Sequence, residues 1–246
     1  MATKLWEKGY EIDERIQRFE ISDDLNYDQK LVGPDAIGSI AHAAGLAKIG
    51  VLPVEMFHAL RAELANVVVL WQQGEFVLQQ SDEDVHTKIE NWLTDTLGDA
   101  GKMIHTARSR NDQVLVDIRL YTREAVLPVY TAVLDACESL LDLADRHHTT
   151  PMPGYTHMQR AMLSSVGVWA GSYLESLLDD LTLLDAAVAL SDQSPLGSAA
   201  SYGVGLPLDR AYVSDLLGFG KVQSNVLYTQ HGRGKFELAI VQACCQ

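Results

Sequence analysis

From Asp112 to His148, the apolar residues Val126, Val129, Val133, Cys137, Leu140 and Ala144 recur at steps of three and four, the spacing that lines one face of an α-helix. A helix of roughly ten turns is predicted there. Pro128 lies inside the run, and because the pattern resumes unchanged beyond it a kink is expected rather than a break. The segment Thr149 to Gly154, with Pro151 and Pro153, ends the run as a loop. A second periodic stretch extends from about Met162 to Leu190, with Trp169, Tyr173, Leu177, Leu181 and Leu184 on a common face. Two long helices with so short a connection predict an antiparallel pair. Gly167 and Gly171 stand one turn apart in the second helix, either to let a neighbour approach closely or as glycines merely tolerated there.

The first ~110 residues are more mixed. Pro34 to Ile49, Pro53 to Gln73 and Asp82 to Leu97 read as shorter helices, with Pro53 and Asp82 near the starts of the last two. Strand signals are nearly absent. Glycines and prolines interrupt the pattern from Ser191 to Gly220, a loop-rich excursion with one short helix near Asp209 to Leu217. Helix resumes after Asn225, over Lys235 to Ala243, and is still apolar near Gln246, which reads either as a short C-terminal helix or, in the favoured reading, as the first part of a longer one.

At 246 residues and 47% hydrophobic, the chain can bury a sizeable core. A formal charge of −14 at pH 7 argues against a nucleic-acid partner, which needs a basic face. The three cysteines show no metal-ligand spacing, and Met1 to Arg15 lack the apolar run of a secretory signal. With no stretch of about 18 apolar residues to span a bilayer, the chain reads as cytoplasmic, with no membrane partner and no bound metal. So acidic a protein repels anions at long range, so an anion site needs local cations. The densest cluster lies between Lys102 and Arg110 and includes His105 and Arg108.

Ser109, Arg110, Asn111 and Asp112 follow at the start of the long helix, where the positive end of the helix dipole and a guanidinium form a seat for a carboxylate. Helix capping by Ser109, Asn111 or Asp112 is compatible with that role. The loop Met152 to Arg160 gathers Tyr155, Thr156, His157, Gln159 and Arg160. An imidazole there suits proton transfer and the polar side chains suit holding a carboxylate, while a polar turn carrying a solvated histidine is the plainer alternative. Ser81, Asp82, Glu83, Asp84 and His86 form an acidic helix start that the dipole alone explains, though it also suits a cationic substrate group. His147 and His148 end the long helix and read as structural, and His231, Arg233 and Lys235 form a further cationic group without an assigned role.

Taken in order, DAIGSIAH at 35–42, SDEDVHTKIE at 81–90, HTARSRNDQV at 105–114, MPGYTHMQRA at 152–161 and PLGSAASYG at 195–203 resemble the argininosuccinate lyase family, within the fumarase and aspartase superfamily. DRAYVSDLLGF at 209–219 follows in the expected place. The resemblance implies an all-α fold, with a mixed helical N-terminal domain over residues 1–111 and an incomplete part of a long central helix bundle over 112–246, the family's C-terminal domain being absent. It implies a homotetramer whose sites form where three subunits meet, and cofactor-free, reversible elimination of argininosuccinate to arginine and fumarate in arginine biosynthesis.

By the same resemblance, Ser109, Arg110 and Asn111 hold the succinyl carboxylates with help from Thr156, and Gln159 orients a substrate group. His157 sits beside the proton-transfer centre, and Asp84 and His86 face the other end of the substrate. The assignments fit the chemistry, because removing a proton beside a carboxylate builds charge that cations and N–H donors stabilise, and the departing nitrogen needs an acid.

Three positions in two motifs depart from the family. Ala107 stands where glycine is usual, and Met162 and Leu163 stand where glutamine and proline are. A third motif, a Gly-Ser-Ser loop followed by Met, Pro and Lys, does not occur in the chain. Its serine is the family's candidate base, so little turnover is expected from these 246 residues alone. The alternatives are a catalytically dead structural protein of the family and a related lyase acting on adenylosuccinate or aspartate.

Overall fold

The computed structural model of the chain describes Asp13, Arg15, Ile16, Phe19 and residues 23–246. Ten α-helices are described from Asp24 onward: α1 Asp24–Asp28, α2 Val32–Lys48, α3 Val54–Gln72, α4 Val85–Leu97, α5 Asp99–Lys102, α6 Arg110–Arg146, α7 Val166–Ser191, α8 Arg210–Leu216, α9 Val226–His231 and α10 Lys235–Ala243. The all-α expectation holds, and the helix boundaries agree with the periodicity to within a few residues except at the start of α7.

There the structure differs from the sequence reading. The expected loop after the long helix is an antiparallel hairpin, β1 Pro151–Thr156 and β2 Gln159–Ser165, and it absorbs Met162 to Ser165 that the apolar pattern had assigned to the second helix. Pro151 pairs with Ser165 and Thr156 with Gln159, with a register shift between Pro153 and Tyr155 at which Gly154 of β1 faces two residues of β2, Ala161 and Met162. A Cβ on Gly154 would meet the carbonyl oxygen of Met162 at 3.0 Å. Both faces of the hairpin are largely exposed, so no burial alternation marks its strands, and the two prolines resemble a loop.

The chain forms two compact units, Met1–Tyr121 with Asp192–Arg233, and Thr122–Ser191 with Gly234–Gln246. In the first, α2, α3 and α4 enclose a core of Val32, Leu46, Leu60, Leu64, Val67, Ile89, Leu93 and Ile104. A smaller cluster joins Ala41 of α2 and Val116 and Leu120 of α6 to Leu196, Val213, Leu217 and Phe219. This packing makes the loop-rich excursion part of the unit that carries the candidate site. Arg210 fixes it further, donating to the carbonyls of Leu196 at 2.7 Å and Gln223 at 2.9 Å.

In the second unit, Val126 of α6, Leu184 and Ala187 of α7 and Ile240 of α10 form the buried cluster. Tyr130 donates to Asp185 near one end of the α6–α7 pair, and Gly167 lies against His148 near the other, so the two helices are antiparallel. Gly167 is a close-approach glycine, since a Cβ there would stand 2.7 Å from the Cα of His148. Gly171 has nothing within 4 Å of that position. Trp169 and Tyr173, expected on the buried face, are half exposed and stack edge-to-face at 5.2 Å, while Gly167, Ala170, Leu184 and Ala187 are the buried positions. Leu127, Leu134 and Leu141 of α6 and Val168, Leu178 and Leu183 of α7 are exposed apolar residues.

Candidate functional site

The start of α4 and the start of α6 meet. Asp84, in extended backbone, caps α4 by accepting from the Thr87 amide and hydroxyl, each at 2.7 Å. The Arg110 guanidinium donates to the other Asp84 oxygen and to the Thr87 hydroxyl at 2.8 Å, and lies 3.8 Å from Glu83. The acidic helix start therefore does more than complement a dipole, because it holds the arginine of the next motif. Both side chains keep about a quarter of their surface exposed, at 24% and 23%.

Ser109 and Asn111 flank that arginine. The Ser109 hydroxyl accepts from the Asn111 amide at 3.2 Å, so the capping expected there is present. Asp112 is fully buried and accepts from the Ser109 amide at 3.0 Å with one oxygen. Its other oxygen accepts from the amides of Gly197 at 3.0 Å and Ala199 at 2.8 Å. Burial pushes the Asp112 carboxyl upward while the three amides hold it down. The PLGSA stretch is thereby tied to the first turn of α6, which explains why two motifs far apart in sequence belong to one region. Arg233, whose role the sequence left open, donates to the Asn111 carbonyl at 3.2 Å.

His86 is not at the surface of this arrangement. It is 7% exposed, and its Nδ1 bonds to Asp35, which is wholly buried. Asp35 also accepts from the Gln113 side chain at 2.7 Å and the Ser39 hydroxyl at 3.1 Å, and Ser39 in turn accepts from Arg108 at 2.8 Å. Burial raises the Asp35 carboxyl, but His86, Arg108 and the Gln113 hydrogen bond together outweigh it and hold the group below the ordinary value. Asp117, one turn beyond Gln113, completes this cluster with no exposed surface. Burial first, and then the nearby Asp35 charge, push its carboxyl well up.

Asp35, Gln113 and Asp117 were missed in the sequence, although two signals were legible. Asp35 and Ser39, and Gln113 and Asp117, are polar pairs four residues apart, the second beside the apolar Leu115, Val116 and Leu120. Among the described residues, Asp35, His86 and Asp117 are the one set whose ligand-type atoms lie within 4.8 Å of one another. The hydrogen bond between His86 and Asp35 already uses two of those three atoms.

Thr156, His157 and Gln159 belong to the other unit, where Thr156 and Gln159 form the last pair of the hairpin and His157 is the first residue of its two-residue turn. His157 and Met158 both have positive φ, 50° and 61°, as the tight turns that suit twisted strands require. The histidine is exposed, as the plainer sequence reading had it. His147 and His148 make only local hydrogen bonds, to the Thr150 hydroxyl and the Asp145 carbonyl, in keeping with a structural role.

A family model described as lyase matches residues 11–232. The chain belongs to the lyase family. Among curated members of similar sequence are the argininosuccinate lyases of Parabacteroides distasonis, 44% identical over 99% of this chain and 54% of its own length, and Sorangium cellulosum, 47% identical over 100% and 57%. This lyase chain thus spans about half the length of the curated relatives it matches. Among solved structures, an EDDS lyase in complex with formate superposes with a TM-score of 0.79 at 25% identity, over 96% of this chain and 46% of that one. A fumarate lyase:delta crystallin from Brucella melitensis, bound to cobalt, gives 0.73 over 89% and 53%, and at 19% identity it supports the fold alone.

Proposed function

We propose that the protein is a carbon–nitrogen lyase that eliminates fumarate from argininosuccinate, releasing arginine, and that this chain supplies the substrate-holding part of its site. The observation that carries the reading is the first turn of α6, where Arg110 stands between the capping residues Ser109 and Asn111 in a chain 44% and 47% identical to two argininosuccinate lyases. A carboxylate arriving there meets a guanidinium and the positive end of a long helix. Arg110 is already paired with Asp84, so the incoming carboxylate competes with Asp84 for it, which requires an exposed and exchangeable pair.

In this reading Ser109, Arg110 and Asn111 hold the succinyl carboxylates, and Thr156 and Gln159 of another copy of the chain assist from the end of its hairpin. Asp84 and His86 serve the arginine end. Loss of the proton beside a carboxylate moves negative charge onto it, and Arg110 stabilises that charge more than it stabilises the substrate. As the carbon–nitrogen bond breaks, the departing guanidino nitrogen takes a proton, for which His157 is the candidate acid. Assembly into a homotetramer is supported by the exposed leucines of α6 and α7, since apolar helix faces of this kind are normally covered.

The deciding experiment is ultraviolet detection of fumarate from argininosuccinate, adenylosuccinate and aspartate, using protein expressed from its native reading frame. Release from argininosuccinate is expected. Release from either of the others instead moves the protein to another branch, and none from any of the three removes the catalytic reading.

A further inference from the structure

Asp35 and Asp117 are both wholly buried and face each other from α2 and α6, yet they are furnished differently. Asp35 accepts from His86, Gln113 and Ser39, which is the setting of an ionised carboxylate. Neither oxygen of Asp117 meets a donor. The Asp117 carboxyl lies 3.7 Å from Nδ1 of His86 and interacts directly with Asp35. The other charged groups facing the pair are Arg108, which reaches Asp35 through the Ser39 hydroxyl, and Asp28, which adds negative charge.

Two carboxylates this close, away from water, do not both ionise. The group with three donors keeps the charge, and the group with none keeps a proton, which gives its oxygens the partner they otherwise lack. A neutral acid can donate to Asp35, whereas an ionised one would add a second negative charge beside the imidazole. We propose that Asp35 and Asp117 are positioning residues for His86, an acid–carboxylate pair sharing one proton that fixes the imidazole with its hydrogen on Nδ1. Nε2, which makes no hydrogen bond among the described residues, is then the ring's free acceptor. The pairing is independent of the lyase reading; only its kinetic consequence rests on that reading and on the substrate-facing role of His86.

The test is NMR of the whole chain labelled with ¹⁵N-histidine and ¹³C-aspartate, beside the variants Asp117→Asn and Asp35→Asn. Where its imidazole is neutral, His86 is expected to show one tautomer, with the hydrogen on Nδ1. One aspartate carboxyl carbon is expected at a carboxylic-acid shift, and that signal vanishes in Asp117→Asn. The amide of this variant still donates to Asp35, so the tautomer is retained. Asp35→Asn removes the anionic acceptor, and a mixture of tautomers is expected. If that variant does not fold, the parent and Asp117→Asn spectra still decide.

Absence of the acid-type carbon, an unchanged tautomer in folded Asp35→Asn, or stoichiometric metal in the purified chain would each overturn the proposal, the last by making the trio a cation site. If the lyase reading holds as well, Asp35→Asn lowers kcat for fumarate release by ~10-fold or more, the loss expected when a substrate-facing imidazole loses its orientation. Failure of turnover with every substrate would leave the spectra intact, so the two readings fail separately.

Discussion

Asp112 accepts the main-chain amide of Ala199 at 2.8 Å, across 87 residues of sequence, and the same oxygen takes the amide of Gly197. One buried carboxylate thus joins the first turn of α6 to the PLGSA loop. Asp112→Ala strands three amides, counting Ser109, and is expected to cost about 3–4 kcal/mol in urea unfolding. Asp112→Asn, which keeps one acceptor, should cost roughly half as much. Equal midpoints for Asp112→Ala and the parent would mean the loop is held by something else.

His42 is buried, and its Nε2 bonds to the Thr106 carbonyl at 2.8 Å. Burial first, then the charge of Arg108, lower its pKa from 6.5 to about 3. Because the folded value is depressed, the unfolded chain binds the proton first, so this stability is present above pH 6.5 and is lost as the pH falls toward 3. The slope in that window is about 1.4 kcal/mol per pH unit for this one proton. His42→Gln keeps a donor for Thr106 and should flatten the acid limb by that amount; an unchanged slope in a urea series would exclude His42 as a contributor.

The two glycines of α7 should respond with opposite signs. Gly167→Ala drives a Cβ against the backbone of His148 and is expected to destabilise by about 1–3 kcal/mol. Gly171→Ala meets open space and should gain about 0.5–1 kcal/mol from helix propensity alone. Thermal melts of the two variants that shift in the same direction would contradict the packing described for α6 and α7.

Ala107 has φ 61°, in the region where a side chain crowds the backbone. Glycine is usual at this position in the family the sequence resembles. Ala107→Gly is therefore expected to stabilise by about 0.5–1 kcal/mol, seen as a melting temperature higher by about 2–4 °C. A lower melting temperature would show that the strain is relieved elsewhere.

For His157 the expectation concerns rate rather than stability. Asparagine tolerates the φ of 50° found there, so His157→Asn should melt no lower than the parent. Fumarate release should nonetheless fall by about 10²–10⁴-fold if the imidazole transfers a proton. Undiminished kcat/KM would return the residue to the role of a solvated turn histidine.

Periodicity made the helices legible because each buries a stripe: Val126, Val129, Val133, Cys137 and Leu140 lie on the less exposed side of α6, as their spacing requires. The hairpin was invisible to that reasoning, since neither of its faces is buried and Pro151 and Pro153 resemble a loop. Trp169 and Tyr173 misled for a related reason, because their spacing suits a buried face but both stay half exposed, in edge-to-face contact with each other. In the site, Ser109 to Asp112 announced themselves by their types at a helix start. The Asp35–His86–Asp117 cluster did not, because its partners come from three helices and only the fold brings them together. His86 is buried and anchored to Asp35, an environment its motif alone does not announce.

The tip of the hairpin has one more implication. Its two turn residues, His157 and Met158, both adopt a left-handed backbone, a geometry for which asparagine followed by glycine is the best-suited pair. The turn has neither, so the ribbon closes through residues that resist the bend and forgoes local rigidity there. An imidazole at the apex of a yielding ribbon can be displaced a short way without unfolding either strand, which makes its aim adjustable, whereas an imidazole on a helix would be fixed.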